Sequence, residues 1–173
     1  MSATVKDTAK KLDIRHIYIS KSGSALLNDF DPMKPNQLLS GLFKIDTIGA
    51  DVKTAIDNET KIEHRILRFF VQAEMIYILG ETSEEEMKDN ELNKTKQVSE
   101  VGATYCVEYA IKSEIELTPD EIKEFGKVNV PYHVWPFWRE YVQSTCNRMN
   151  LPVTTLPMLI VETVKTLEEQ QKV

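Results

Sequence analysis

The side chains that could take part in catalysis or metal binding are three histidines and two cysteines, and they are scattered along the chain. His16, His64 and His133 fall on three separate predicted elements, with no ligand spacing among them or with either cysteine. A structural zinc site closes around grouped Cys and His residues, so this pattern does not indicate one. Cys106 would act as a nucleophile only beside a base. An ordinary thiol on a sheet explains it better, although His16 or His64 as a cross-strand neighbour stays open.

Carboxylates and glycines indicate no reaction either. Glu114 and Glu116 share one face of a predicted strand, as the paired acids of a glycosidase might, but alternating charge on a solvated face explains them better. The six glycines form neither a G-x-G-x-x-G sequence nor a P-loop. The sequence therefore predicts a protein that is not an enzyme, with no catalytic residues, no metal and no cofactor.

Composition narrows the function classes further. The chain has 173 residues, 42% of them hydrophobic and 28% charged, with a net charge of −6. These values predict one domain over residues 13–173 after a loose N-terminal tail over residues 1–12. The acidic balance argues against nucleic acid as a partner. Apolar runs are too short for membrane insertion, and the first residues contain no apolar signal segment, so a cytoplasmic location is expected.

Hydrophobic alternation predicts four strands followed by helices. Strands are predicted at 14–19, 41–47, 62–79 and 101–117, with a crossover loop after the first and a charged loop over 80–97 before the last. The last strand is the clearest, because its odd positions from Val101 to Ile111 are apolar. An order of four strands and then helices, without β-α-β alternation, predicts an α+β fold with an antiparallel sheet.

The helical part contains both tryptophans. A turn of helix is predicted at 120–125, capped by Thr118, then a long helix at about 132–149 with Pro136 in its first turn, and a last helix from about Pro157. Apolar side chains cover about half of the long helix, more than the roughly 100° stripe that one sheet needs. This width predicts that the helix touches its own sheet and also another copy of the chain.

The segment Trp135-Pro136-Phe137-Trp138-Arg139-Glu140-Tyr141, followed by Leu151-Pro152-Val153-Thr154-Thr155-Leu156-Pro157, resembles the C-terminal half of the SecB chaperone family. Arg15-His16-Ile17-Tyr18-Ile19 is similar to the first strand of that family, and the last predicted strand has the same place in the chain. The resemblance covers about residues 12–167. It implies a four-stranded antiparallel Greek-key sheet with a long and a shorter helix on one face.

The resemblance also implies a function, an assembly and the residues that serve them. SecB-like proteins are holdases that bind non-native polypeptides without ATP, and they assemble as homotetramers, dimers of dimers with the long helices at the centre. The residues implied to bind the client are Leu26, Leu27, Phe30 and Met33 of the crossover loop and Leu156, Met158 and Ile160 near the last helix. Those implied for the oligomer interface are Val134, Trp138, Tyr141, Val142, Thr145 and Met149.

One departure from the family concerns its export partner. SecB proteins that serve export carry acidic residues just after the Ile-Tyr of the first strand, where the ATPase SecA docks, but here that stretch is Ile19-Ser20-Lys21-Ser22-Gly23-Ser24. Glu108 replaces at most one of these acids. Docking to SecA is therefore doubtful, and an unstable antitoxin of a toxin–antitoxin pair becomes a candidate client beside preproteins. Two hypotheses of other classes stay open: a ligand binder or enzyme with a pocket between sheet and helix, near Tyr105, Glu108 and Tyr109, and a structural oligomer without a client.

Overall fold

A four-stranded antiparallel sheet forms the centre of the molecule. The computed structural model describes residues 3–56, 63–80, 94–112, 116–152 and 156–157. The strands are β1 (Leu12–Leu26), β2 (Leu39–Ile56), β3 (Glu63–Leu79) and β4 (Gln97–Ile111), in the order β1-β4-β3-β2. Strands β2, β3 and β4 form a meander and β1 pairs with β4, which is a Greek-key arrangement. The predicted α+β class and antiparallel sheet are confirmed.

The predicted C-terminal ends of three strands are wrong. Strand β1 continues past Ile19 to Leu26, because pairing of its main chain with β4 does not require apolar side chains. Strand β2 continues to Ile56 through a bulge between Thr47 and Gly49, where a connection was predicted. Strand β4 ends at Ile111 and not at residue 117, although the next amide, that of Lys112, still donates to the Lys11 carbonyl at 3.1 Å.

A single helix, α2 (Pro119–Arg148), replaces the two that the sequence predicted. The predicted cap at Thr118 is confirmed: the Glu121 amide donates to its hydroxyl, and the Glu121 carboxylate accepts the Thr118 amide in a capping box. Pro131 and Pro136 both lie inside the helix, so the prediction that Pro136 begins it is wrong. Each proline removes one helical hydrogen bond, and the burial of Val130 and its neighbours outweighs that cost.

The hydrophobic core lies between one face of the sheet and α2. The buried row predicted for β4 is confirmed, and alternate residues of β3 join it. The core comprises Leu67, Phe69, Val71, Ala73, Met75 and Tyr77 of β3, Val101, Ala103, Tyr105, Val107, Tyr109 and Ile111 of β4, and Phe125, Val130, Val134, Trp135, Trp138, Val142 and Cys146 of α2. The opposite face of the sheet has no helix over it among the described residues. None of the described helices is long and apolar enough to span a bilayer.

The N-terminal residues form a helix, α1 (Ala3–Lys10), where the sequence predicted a loose tail. Val5 and Thr8 are buried one helical turn apart, and α1 packs against α2. An ion pair between Lys11 and Glu121 holds this contact, and it keeps the pKa of the Glu121 carboxyl below its ordinary value. Two buried positions are too few to show in a sequence pattern, which explains the error. The last helix, predicted from Pro157, lies outside the described residues.

Candidate functional site

The crossover loop, residues 27–38, spans one end of the sheet, which we call the crossover end. The loop is fixed at both of its own ends by the main chain. The Leu27 amide donates to the Val98 carbonyl at 2.8 Å, and the Gly80 amide donates to the Leu38 carbonyl at 2.9 Å. The Asn28 side chain adds a hydrogen bond to the Gln97 carbonyl at 2.8 Å. These hydrogen bonds hold the loop across the ends of β4 and β3.

Polar side chains hold the loop in shape without regular secondary structure. Asn28, Asp29 and Asn36 have positive φ angles of 54°, 52° and 59°, a conformation that Asn and Asp accept more readily than other non-glycine residues. The Asp31 carboxylate accepts the Met33 amide at 2.9 Å, and the Gln37 amide group donates to the Asp31 carbonyl at 2.7 Å. These bonds fix the turn that carries Met33.

Apolar side chains surround this loop, and several of them face solvent. Met33 is 74% exposed, whereas Phe30 is partly buried against the core. Two exposed leucines of the same end, Leu38 and Leu79, were not predicted, although Leu38 directly precedes β2 and Leu79 ends β3 opposite Leu39. We call the set Leu26, Leu27, Phe30, Met33, Leu38 and Leu79 the crossover surface. In the sequence, Leu38 and Leu79 are leucines at strand ends. The alternation of apolar residues does not assign such positions to either face of the sheet.

The chain after α2 comes back to the same loop. Tyr77 donates from its hydroxyl to the Pro152 carbonyl at 2.7 Å, and the Trp135 indole donates to the Pro157 carbonyl at 2.9 Å. The Asn150 side chain donates to the Pro32 carbonyl at 3.3 Å and lies 2.8 Å from the Met33 sulfur. Asn150, just after α2, therefore contacts the crossover loop, whereas the Pro152 and Pro157 carbonyls accept hydrogen bonds from β3 and α2.

The individual predicted binding residues differ in accessibility. Leu26 and Met33 are exposed, and Leu27 and Phe30 are half-buried. Leu156 is only 1% exposed and belongs to the core, because the bonds from Tyr77 and Trp135 draw its segment inward. It is therefore not available on the surface in this form. Met158 and Ile160 lie outside the described residues.

Most residues predicted for an oligomer interface face the chain's own sheet. Val134, Trp138, Val142 and Thr145 are buried inside the monomer, and Tyr141 and Met149 pack against the core while partly exposed. As a prediction of surface residues the first four are wrong, because β3 and β4 cover that side of α2. The most exposed aromatic side chains of the helix are Tyr132 and Phe137, at 54% and 49% exposure.

The two tyrosines of the alternative hypothesis are buried in the core. Tyr105 and Tyr109 are both about 1% exposed within the core, whereas Glu108 lies on the opposite face of the sheet. The Tyr109 hydroxyl and His133 Nδ1 are 2.7 Å apart. Burial lowers the pKa of His133 and raises that of Tyr109, so both are neutral near pH 7. Nowhere in the described ranges do three His, Cys, Asp or Glu side chains gather to hold a metal ion.

The uncovered face of the sheet carries charges of both signs. Arg68 forms two hydrogen bonds to Asp51, at 2.8 and 2.7 Å, and stands over the Phe70 ring at 5.6 Å. The neighbour of Cys106 across β1 is Tyr18 and not a histidine, and Cys106 is buried. A hydrogen bond with Cys106 and the nearby Glu108 raise the pKa of Tyr18 to about 12. The other cross-strand neighbour of Cys106 is Phe70 on β3.

Comparison with known proteins identifies the fold. No family model matches the chain, and no curated protein matches it in sequence. The solved structure of the SecB-like chaperone Rv1957 of Mycobacterium tuberculosis, in complex with a ChAD peptide from the HigA1 antitoxin Rv1956, matches 92% of this chain and 98% of its own. The TM-score is 0.64 at 16% identity. A protein of unknown function from Streptococcus agalactiae, with 8% identity over 84% of this chain and 96% of its own, has a TM-score of 0.38. The chain has the SecB-like fold.

Proposed function

We propose that this chain is a chaperone that binds non-native polypeptides without ATP and holds them unfolded. The observation that carries the proposal is the crossover surface. An ordered loop offers a group of apolar side chains to solvent at one end of the sheet, and Asn150 ties the segment that leads to the last helix to the same loop. Exposed apolar groups of this kind mark sites for other chains.

The composition of the crossover surface suits a client of undefined sequence. Its members are leucines, one phenylalanine and one methionine, with no charged group among them. Met33 is unbranched and flexible, so it adapts to clients of different shape. Such a surface discriminates by hydrophobicity rather than by sequence, which is what binding of unfolded chains requires.

The proposal also concerns which kind of client the chain binds. The matched Mycobacterium tuberculosis protein was solved with a peptide from an antitoxin. Lys21 and the paired Arg68 and Asp51 also give the uncovered sheet face no uniformly acidic patch. Both points favour an unstable antitoxin over a preprotein handed to SecA. A toxin–antitoxin pair encoded beside this gene would support that choice, and co-purification with SecA would contradict it.

We further propose that the chain assembles as a homotetramer, a dimer of dimers. Tyr132 and Phe137 provide exposed aromatic rings on the outer side of α2, where another copy would pack. The expected native mass is four times 19.9 kDa. A monomer at micromolar concentration, measured by sedimentation, would contradict this part of the proposal without touching the crossover surface.

Suppression of aggregation tests the chaperone function. The purified chain, without nucleotide, should slow the light scattering of a chemically unfolded substrate after dilution. Met33→Ser and Leu38→Ser, combined, should weaken this suppression several-fold while the circular dichroism and melting temperature stay unchanged, because both side chains are exposed.

The matched control is Ile14→Ser, which removes an exposed apolar side chain from β1, away from the crossover end. It should leave the suppression unchanged. If the wild-type chain has no effect on the scattering, or if the control loses as much as the double variant, the proposed function is wrong.

A further inference from the structure

Met33 has the most exposed of the large apolar side chains that the structure describes, at 74%. It stands in the turn of the crossover loop, where the Asp31 carboxylate accepts its main-chain amide at 2.9 Å. The other methionines in the described ranges are sheltered, since Met75 is 0% exposed and Met149 packs against the core. A small reagent in solution that attacks methionine sulfur therefore reaches Met33 before it reaches either of them.

The Met33 sulfur has a hydrogen-bond donor beside it. Asn150 Nδ2 lies 2.8 Å from that sulfur, and the same nitrogen donates to the Pro32 carbonyl at 3.3 Å. Asn150 follows the last capping residue of α2, and its own amide donates to the Asn147 carbonyl at 3.3 Å. A thioether sulfur is a weak acceptor. The donor is thus held in place for a partner that uses it poorly.

The reaction open to an exposed thioether is oxidation to the sulfoxide. A thioether has two lone pairs, so the contact with Asn150 leaves one free. With hydrogen peroxide, this lone pair attacks one oxygen, an S–O bond forms and the O–O bond breaks. The departing hydroxide takes the proton from the transferred oxygen and leaves as water. The sulfur loses two electrons and the peroxide gains them.

Oxidation at this position changes the surface and leaves the fold in place. The product oxygen is polar and a stronger acceptor than the sulfur it replaces, and Asn150 Nδ2 is already beside it. The main chain of the turn does not depend on the sulfur, because the Asp31 carboxylate holds the Met33 amide and the Gln37 side chain donates to the Asp31 carbonyl at 2.7 Å. Met33 is also not part of the core.

We propose that Met33 is a reversible oxidation site through which peroxide lowers client binding at the crossover surface. The sulfoxide removes one exposed apolar contact and accepts the Asn150 amide group, which ties the crossover loop to the end of α2. Enzymatic reduction of the sulfoxide restores the thioether and the apolar surface. This inference rests on the proposed chaperone function and adds regulation to the same surface.

Peptide mass spectrometry after brief treatment of the folded full-length chain with hydrogen peroxide tests the site itself. The peptide with Met33 should gain one oxygen well before those with Met75 and Met149. In concentrated urea the three should react at similar rates, because unfolding removes the shelter of the core. If Met33 reacts no faster than Met75 in the folded chain, the inference is overturned.

Suppression of aggregation tests the consequence, with each chain compared with itself before and after peroxide, which catalase then removes. Suppression by the wild-type chain should fall about threefold, the size expected for loss of part of one apolar contact, at unchanged melting temperature. A methionine sulfoxide reductase should restore it and dithiothreitol should not, which separates the sulfoxide from oxidation of the buried Cys106 and Cys146.

Two variants assign the effect to one sulfur. Met33→Leu has no thioether at this position, so peroxide should leave its suppression where it was. Met158→Leu is the matched control, because it removes the other methionine predicted for client binding and should keep the sensitivity to peroxide. If Met33→Leu loses as much suppression as the wild-type chain, or if Met158→Leu alone becomes resistant, the inference is overturned.

The role of Asn150 has its own readout. In ¹H–¹⁵N spectra, the side-chain amide signals of Asn150 should shift when Met33 is oxidised in the wild-type chain, and they should stay in place in peroxide-treated Met33→Leu. Signals that do not move at complete oxidation of Met33 would overturn the tie between the loop and α2.

The outcomes distinguish this inference from the proposed function. If the wild-type chain suppresses aggregation and continues to do so equally well with Met33 fully oxidised, the inference alone fails. If the chain does not suppress aggregation before peroxide is added, the proposed function fails, and the regulation built on it fails with it.

Discussion

The two sides of helix α2 have similar side chains and different roles. The inner side places Val134, Trp138 and Val142 on the sheet, all fully buried. The outer side carries Tyr132 and Phe137, of which about half of each side chain faces solvent. Adjacent residues, Phe137 and Trp138, thus belong to different environments. The difference teaches that the width of an apolar arc on a helix does not tell which of its residues pack inside the monomer and which stay exposed to other chains.

Three elements of the same chain share most of the arc. The sheet covers the inner side, α1 packs against the helix, and the lead-in segment binds the Trp135 indole through the Pro157 carbonyl. Phe43 adds a ring contact with Trp135, with centroids 5.4 Å apart. The aromatic side chains that stay exposed are Tyr132 and Phe137, and Phe137 lies one residue away from Trp138, which was predicted for the interface.

The strongest test of this division compares Trp138→Ala with Phe137→Ala. Trp138→Ala should lower the free energy of unfolding by about 3–5 kcal/mol, because it leaves a cavity in the core. Phe137→Ala should change it by less than about 1 kcal/mol and should instead weaken the assembly. Urea unfolding and sedimentation measure the two effects. A stable Trp138→Ala chain that no longer assembles would restore Trp138 to the interface.

A second test concerns the close contact between α2 and the sheet at Gly126. Gly126→Ala places a methyl group 2.8 Å from Phe69, so it should cost about 1–3 kcal/mol of stability through overpacking. Gly23→Ala is the control, since a β-carbon at Gly23 meets no atom within 4 Å. Thermal melts of both variants suffice. Equal melting temperatures would mean that the helix moves away from the sheet at little cost.

A third test addresses the segment after α2, which is held to the rest of the chain by the hydrogen bond at Pro152. Tyr77→Phe removes the hydrogen bond to the Pro152 carbonyl and should cost about 1–2 kcal/mol, since that hydroxyl is buried. The exposed Tyr132→Phe should have no measurable effect on unfolding. A loss of substrate binding with Tyr77→Phe at unchanged stability would show that the lead-in serves the client more than the fold.

The smallest expected effect concerns the ion pair between Arg68 and Asp51 on the uncovered face of the sheet. The hydrogen bonds from Arg68 hold the pKa of the Asp51 carboxyl below its ordinary value. The pair therefore stabilises the fold above that ordinary value, and the contribution disappears as the pH falls through the pKa in the folded state. Asp51→Asn should cost about 0.2–1 kcal/mol at pH 7 and nothing in strong acid, where urea unfolding should no longer separate the two chains.

Much of the sheet could be predicted from the sequence, and its limits have physical causes. The alternation of β4 identifies the buried face correctly from Val101 to Ile111, because one side packs on α2 and the other does not. The ends of β1 and β2 were missed, since pairing of the main chain leaves no mark in side-chain type. The sequence analysis placed Pro136 in the first turn of a separate helix, whereas tertiary packing keeps both Pro131 and Pro136 inside one helix.

The candidate site was predictable in part. The loop that carries Met33 was identified, because it lacks periodicity and contains isolated apolar residues. Leu156 was placed on the surface, whereas hydrogen bonds from two distant aromatic side chains draw its segment into the core. Contacts between residues so far apart in the chain leave no local signal.

The order of the strands has a consequence for synthesis of the protein. Strand β1 is made first, but its partner is β4, with Leu26 opposite Ser99 and Leu12 opposite Ile111. At about 5–20 residues per second, several seconds pass on the ribosome before β1 can pair. During that delay the strand is open to other nascent chains. Its second half, Ser20-Lys21-Ser22-Gly23-Ser24, is polar and contains a lysine, a composition that discourages intermolecular pairing. We therefore expect these five residues to keep β1 from pairing with other chains before β4 is made.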